Sequence, residues 1–166
     1  MKLAVVIALL LGLSSWSVPI AASPPPSIQA QALEIAYEAG VAFEPSDWPA
    51  YAHPFPVVVQ AILMRESSGC LYLHNPKTKT PIGCMQLHYK TAIKVAGVPI
   101  SKAMLRLDWT LNIRIGAAYL AYCFGITHKP ALAISCYTEG EFHYRWHDPY
   151  TAKIIDLMNN LPQDTE

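Results

Sequence analysis

Charge is scarce in this sequence. Only 14 % of its 166 residues are Asp, Glu, Lys or Arg, and the formal net charge is zero. There is no basic field to hold a nucleic-acid backbone and no acidic tail. A neutral, polar substrate suits such a surface better than a polyanion. Repeats are absent, and so is any series of alternating apolar and polar residues that reads as a set of strands. No apolar run is comfortably long enough to span a bilayer; the longest, Leu3 to Leu13, falls short. The His-Glu-x-x-His order of a zinc helix is missing too. His143 and His147 lie four apart in "GEFHYRWHDP", but that segment does not read as one regular helix. No metal is expected there.

What is present begins with export. Lys2 followed by "LAVVIALLLGL" and then "IAAS" has the layout of a signal peptide over residues 1–22. Its removal takes away Lys2 and leaves the chain near −1. No cysteine follows the cleavage region, so no lipid-anchor site is read. Residues 23–27, "SPPPS", form a stiff spacer. One domain is expected over residues 28–160, with a short tail at 161–166. The protein is therefore expected outside the cytoplasm, periplasmic or secreted, with no membrane span after cleavage.

Four cysteines in an exported chain suggest disulfides. Three pairings are possible. Cys70–Cys84 with Cys123–Cys136 is favoured because each bridge closes a short segment. A cysteine hydrolase built on Cys70 and His74 is the competing use, but the pair has no nucleophile motif around it.

The periodicity is helical. Ser27 caps a helix expected to end at Gly40. Pro56 opens one reaching Arg65 or Glu66. Residues 67–83 read as loop, with room for a small hairpin. A helix from about His88 ends at Gly97. Asp108 caps a long helix, "WTLNIRIGAAYLAYCF", ended by Gly125. It is apolar nearly all round, so it should be central. Pro130 and Asp148-Pro149 open the last two helices.

Within this pattern a few polar residues sit where apolar ones are expected. Val59, Ile62, Leu63 and Glu66 fall at i, i+3, i+4 and i+7, one helical face. Glu66 thus extends a buried stripe and does so near a helix C-terminus. Burial and the helix dipole both disfavour its charge and should raise its pKa. A carboxylic acid kept neutral near pH 7 is a general acid. A helix-end ion pair with Arg65 is the plainer use. Asn112 shares a face with Ile115, Gly116 and Tyr119. Tyr137 shares one with Ala133 and Ile134.

The segments "AILMRESSG", "PIGCMQL", "LNIRIGAAYLAY" and "ALAISCYTEG" come in an order and spacing that resembles the soluble lytic transglycosylase family. The likeness spans about residues 57–158. It implies a mainly α, lysozyme-like fold with an irregular loop or small hairpin at the cleft. By that resemblance Glu66 is the sole catalytic acid and base, followed by Ser67. Gly83, Met85 and Gln86 form the turn lining the sugar cleft, and Gln86 hydrogen-bonds substrate. Asn112 and Tyr119 lie on the supporting helix, and Tyr137 hydrogen-bonds the catalytic Glu. No cofactor is implied.

The departures are specific. Cys84 replaces a Leu in the turn, and Thr138 stands where Asn is usual. Glu139 stands where a small residue is common. The loop from Glu66 to Gly83 is slightly long. A serine usual in that loop is missing, with Thr78 and Thr80 as stand-ins.

The implied substrate is the peptidoglycan glycan strand, cut between N-acetylmuramic acid and N-acetylglucosamine with formation of a 1,6-anhydro sugar. Small domains of this kind resemble those that open the wall for a secretion, conjugation or pilus complex. Two alternatives stand beside this. A hydrolase would use Glu139 as a second acid, where the simpler reading is an exposed helix-end carboxylate. A glycan-binding assembly protein would keep the fold without turnover. Phe142, Tyr144 and Trp146 either stack on sugar rings or pack as core.

Overall fold

Pro, Gly and capping side chains divide the chain into helices whose apolar faces meet around one of their number. The computed structural model describes residues 26–73, 81–141, 143–145 and 148–161. The expected signal, most of the spacer and the tail beyond residue 161 lie outside these residues. So do His74, Thr78, Thr80, Phe142, Trp146 and His147.

Helix α1 spans Ile28–Phe43, and the Ser27 hydroxyl accepts the Ala30 N–H at 3.1 Å. The helix does not end at Gly40. A Cβ at Gly40 would come within 2.3 Å of the Pro56 Cα. Glycine serves close helix contact here, not termination. Ala32, Ala36, Ala39 and Gly40 form the buried stripe that admits α2.

Helix α2, Phe55–Ser67, carries Pro56 in its first turn and ends with Ser68 in the left-handed region. Val59, Ile62 and Leu63 are fully buried. Burying each is worth roughly 1.5–3 kcal/mol, which fixes the rotation of α2 and hence where Glu66 points. Strands β1 (Pro81–Ile82) and β2 (Leu87–His88) pair antiparallel as a small hairpin. Helix α3, Tyr89–Ala96, ends at Gly97 with φ +66°.

Helix α4, Lys102–Leu107, was not expected. Its six residues are too few to show a period; only the Ser101 cap on the Met104 N–H marks it. Helix α5, Trp109–Thr127, starts at the Asp108 cap and packs against α1, α2, α3, α4 and α6. It is the central helix. It runs through Gly125 and ends at His128 in the left-handed region, three residues beyond the expected stop.

Helices α6 (Pro130–Glu139) and α7 (Pro149–Asn160) complete the bundle. α6 packs on α5, and α7 packs on α2 and α6. Trp48 closes the far end against Phe55 and Phe124, with ring centroids 4.9 and 4.8 Å away.

Both disulfides take the favoured pairing. Cys70–Cys84 ties the loop after α2 to the hairpin turn, and Cys123–Cys136 ties α5 to α6. Cys70 is therefore not a nucleophile. Among the described residues no helix is long and apolar enough to cross a membrane.

Candidate active site

The end of α2, the hairpin turn and the ends of α6 and α7 converge on one cleft of about 400 Å³. That size falls within the roughly 300–1,000 Å³ range of small-molecule sites. Glu66 stands in its wall, half-buried, one turn beyond the buried Ile62 and Leu63. Burial pushes its carboxyl above the usual range. A hydrogen bond from Tyr150 and the Arg65 charge oppose the shift without cancelling it.

The hydroxyl that reaches Glu66 belongs to Tyr150, which donates to its Oε1. Tyr137 was expected in that role. Its hydroxyl instead donates to the Met85 carbonyl at 2.8 Å. The reason lies in the helices. Tyr137 hangs from α6 beneath the hairpin turn, whereas the first turn of α7 delivers Tyr150 to the end of α2. Asp148 fixes that turn by accepting the Tyr150 N–H at 3.1 Å and the Thr151 N–H at 3.2 Å. The Thr138 hydroxyl hydrogen-bonds the Tyr150 oxygen, and the Arg65 guanidinium lies 5.5 Å from the Tyr150 ring centroid. Burial first, then the Glu66 charge, holds both the Tyr137 and Tyr150 hydroxyls well above an ordinary tyrosine pKa, so both remain protonated donors.

The sequence did carry the helix start at Asp148-Pro149. What it did not show was the reach of Tyr150 to a residue 84 positions earlier. An aromatic residue directly after a capped Pro was the available signal.

Asn112 organises the turn. Its Oδ1 accepts the Met85 N–H at 2.8 Å, and its Nδ2 donates to the Ile82 and Leu105 carbonyls, each at 3.0 Å. The side chain is fully buried and every polar atom is satisfied. Gly83, at φ +75°, passes so close that a Cβ would stand 2.4 Å from Asn112 Nδ2 and 2.5 Å from the Leu105 carbonyl oxygen. Met85 is fully buried against Gly116. Tyr119 packs its ring 5.3 Å from that of Tyr137 and donates to the Cys136 carbonyl at 3.4 Å.

This framework presents Gln86 to the cleft. Its Nε2 donates to the Gly83 carbonyl at 2.8 Å, while its buried Oε1 has no hydrogen-bond partner among the described residues. A buried acceptor at a cleft wall is suited to a donor on a bound molecule. Ser67 turns inward. Its hydroxyl accepts the Cys70 N–H at 2.9 Å and lies 3.3 Å from the Leu63 carbonyl, so it secures the loop. Glu139 also lines the cleft, exposed, 3.7 Å from Arg145. His143 is exposed. Tyr144 is half-buried and packs against the core.

The site thus holds one burial-shifted acid, a phenol that orients it, and an unpaired amide oxygen, on residues that line the same cleft. A family model described as Transglycosylase SLT domain matches residues 51–158, the span that includes every one of these groups. No curated protein and no solved structure gives a match.

Proposed function

The chain belongs to the Transglycosylase SLT domain family, whose members are lysozyme-like peptidoglycan lytic transglycosylases, and from that premise we propose that Glu66 is its single acid and base. Most glycosidases pair two carboxylates. One suffices here if the substrate supplies the nucleophile. Protonated Glu66 donates its proton to the glycosidic oxygen between N-acetylmuramic acid and N-acetylglucosamine, and the C1–O bond breaks. The sugar's own N-acetyl group carries the developing positive charge. Glu66, now a carboxylate, takes the proton of the muramic C6 hydroxyl as that oxygen bonds to C1. The product ends in a 1,6-anhydro sugar, Glu66 is again protonated, and no water is consumed.

The observation that carries this reading is the state of Glu66. Burial raises its pKa and so favours the protonated form that a general acid needs. Tyr150 fixes its Oε1, and Gln86 offers an acceptor nearby for an amide or hydroxyl of the strand. Soluble fragment release from purified sacculi tests it. Glu66→Gln should abolish release, and Glu139→Gln should retain it.

A hydrolytic second reading keeps one foothold, the presence of Glu139 in the cleft wall. Equal loss of activity in the two variants would favour it. We also propose export, with residues 1–22 as the signal; two disulfides suit an oxidising compartment. Cell fractionation checks that. For the cellular role we carry over the resemblance alone: local wall opening for a secretion, conjugation or pilus apparatus. A strain carrying Glu66→Gln should then fail to assemble that apparatus.

A further inference from the structure

Helices α3 and α6 both pack on α5 beside the cleft. Thr91 of α3, Tyr119 of α5 and Gly140 after α6 all line it. Just beyond each stands a polar residue. Lys94 lies three residues past Thr91, Tyr122 three past Tyr119, and Glu141 directly after Gly140.

These three meet. The Lys94 ammonium donates to both Glu141 carboxylate oxygens at 2.8 Å and to the Tyr122 hydroxyl at 2.9 Å. The Tyr122 hydroxyl donates to Glu141 Oε2 at 2.5 Å. Lys94 Nζ also stands 4.8 Å from the Tyr122 ring centroid, and that ring stacks on Tyr119. The bridge therefore joins α3, α5 and the segment after α6 just beyond three residues that line the cleft.

We infer that the Lys94–Tyr122–Glu141 clasp closes one end of the glycan cleft and sets how many sugar rings fit on that side, so that the enzyme cuts near strand ends. This rests on reading the cleft as the glycan site.

Two features suit such a role. Lys94 is half exposed, where a single ion pair contributes little to folding. Charge-assisted bonds to one carboxylate from two helices also fix the joined segments geometrically. Each partner holds the other charged: the hydrogen bonds from Lys94 and Tyr122 lower the Glu141 pKa, and those to Glu141 and Tyr122 raise that of Lys94.

The test uses the full mature chain carrying Glu66→Gln, so that nothing is cut, and β-1,4-linked N-acetylglucosamine oligomers of increasing length. With the clasp intact, affinity should stop rising at a fixed length. In Lys94→Met it should go on rising with further rings, and the exchange Lys94→Glu with Glu141→Lys should restore the limit. With Glu66 present, Lys94→Met should shift released fragments toward greater length. The same limiting length in Lys94→Met, in a protein that melts like the clasped one, would overturn the inference. Reducing ends in place of anhydro ends would count against the transglycosylase reading and leave the length comparison intact.

Discussion

Asn112 offers the clearest quantitative check on how the site is held. Asn112→Ala removes three hydrogen bonds inside the core and leaves the Met85 N–H and the Ile82 and Leu105 carbonyls facing a void. Three bonds at a net value of about 1 kcal/mol each give about 3 kcal/mol. Partners left buried and unpaired add to that, at roughly 1–3 kcal/mol for any that water does not reach. A loss of about 3–5 kcal/mol is therefore expected, a large part of the roughly 5–15 kcal/mol that holds a domain together.

Urea unfolding of the oxidised protein measures it, read from the midpoint at constant slope. Asn112→Asp sharpens the test. It keeps the acceptor for Met85 but aims an oxygen at two carbonyls, so it should be no milder than Ala. Both variants should also lose activity below their melting temperatures, because the turn carrying Gln86 is released. A loss under about 1 kcal/mol, or a harmless Asp, would refute the reasoning that this side chain is the hub of the turn.

Three further outcomes are expected. Activity should fall as pH rises through the raised Glu66 pKa, since the acid form starts the reaction; the Tyr150 hydrogen bond lowers that pKa, so Tyr150→Phe should move the falling limb of the kcat/KM profile to higher pH. Stability should show the same group with the matching sign: a raised folded pKa costs stability as pH climbs above the ordinary 4.5, so Glu66→Gln should melt progressively higher than the parent from that pH up to the folded pKa, and level thereafter. Reduction of the disulfides, whose partners are 14 and 13 residues apart, should cost about 3 kcal/mol per bridge in the chain-entropy account; mass spectrometry of the reduced and alkylated protein, paired with urea midpoints, reads both.

The helical plan was legible because its signals are local. Ser27, Asp108, Asp148 and the prolines at 56, 130 and 149 act on the next few residues, and each opens a helix where expected. Glycine was the ambiguous letter. Gly97 ends a helix through its positive φ, whereas Gly40 sits inside one because Pro56 crosses there, and only the tertiary contact separates the cases. Helix α4 is one and a half turns, below the length at which a period shows. In the site, the stripe Val59–Ile62–Leu63–Glu66 marked a carboxylate on a buried helical face from spacing, and only the family resemblance singled it out as the proposed acid. Its phenolic partner was misassigned to Tyr137 because which of two tyrosines meets Glu66 depends on how α6 and α7 pack, and no local pattern encodes that crossing.

The central claim is that Glu66 drives an intramolecular transfer in which water takes no part. The most direct measurement is digestion of purified peptidoglycan in water enriched in oxygen-18, with the released muramic ends analysed by mass spectrometry. Anhydro ends carrying no label, absent from the Glu66→Gln digest, are the expected result. Labelled reducing ends would show that water is the nucleophile and would contradict it.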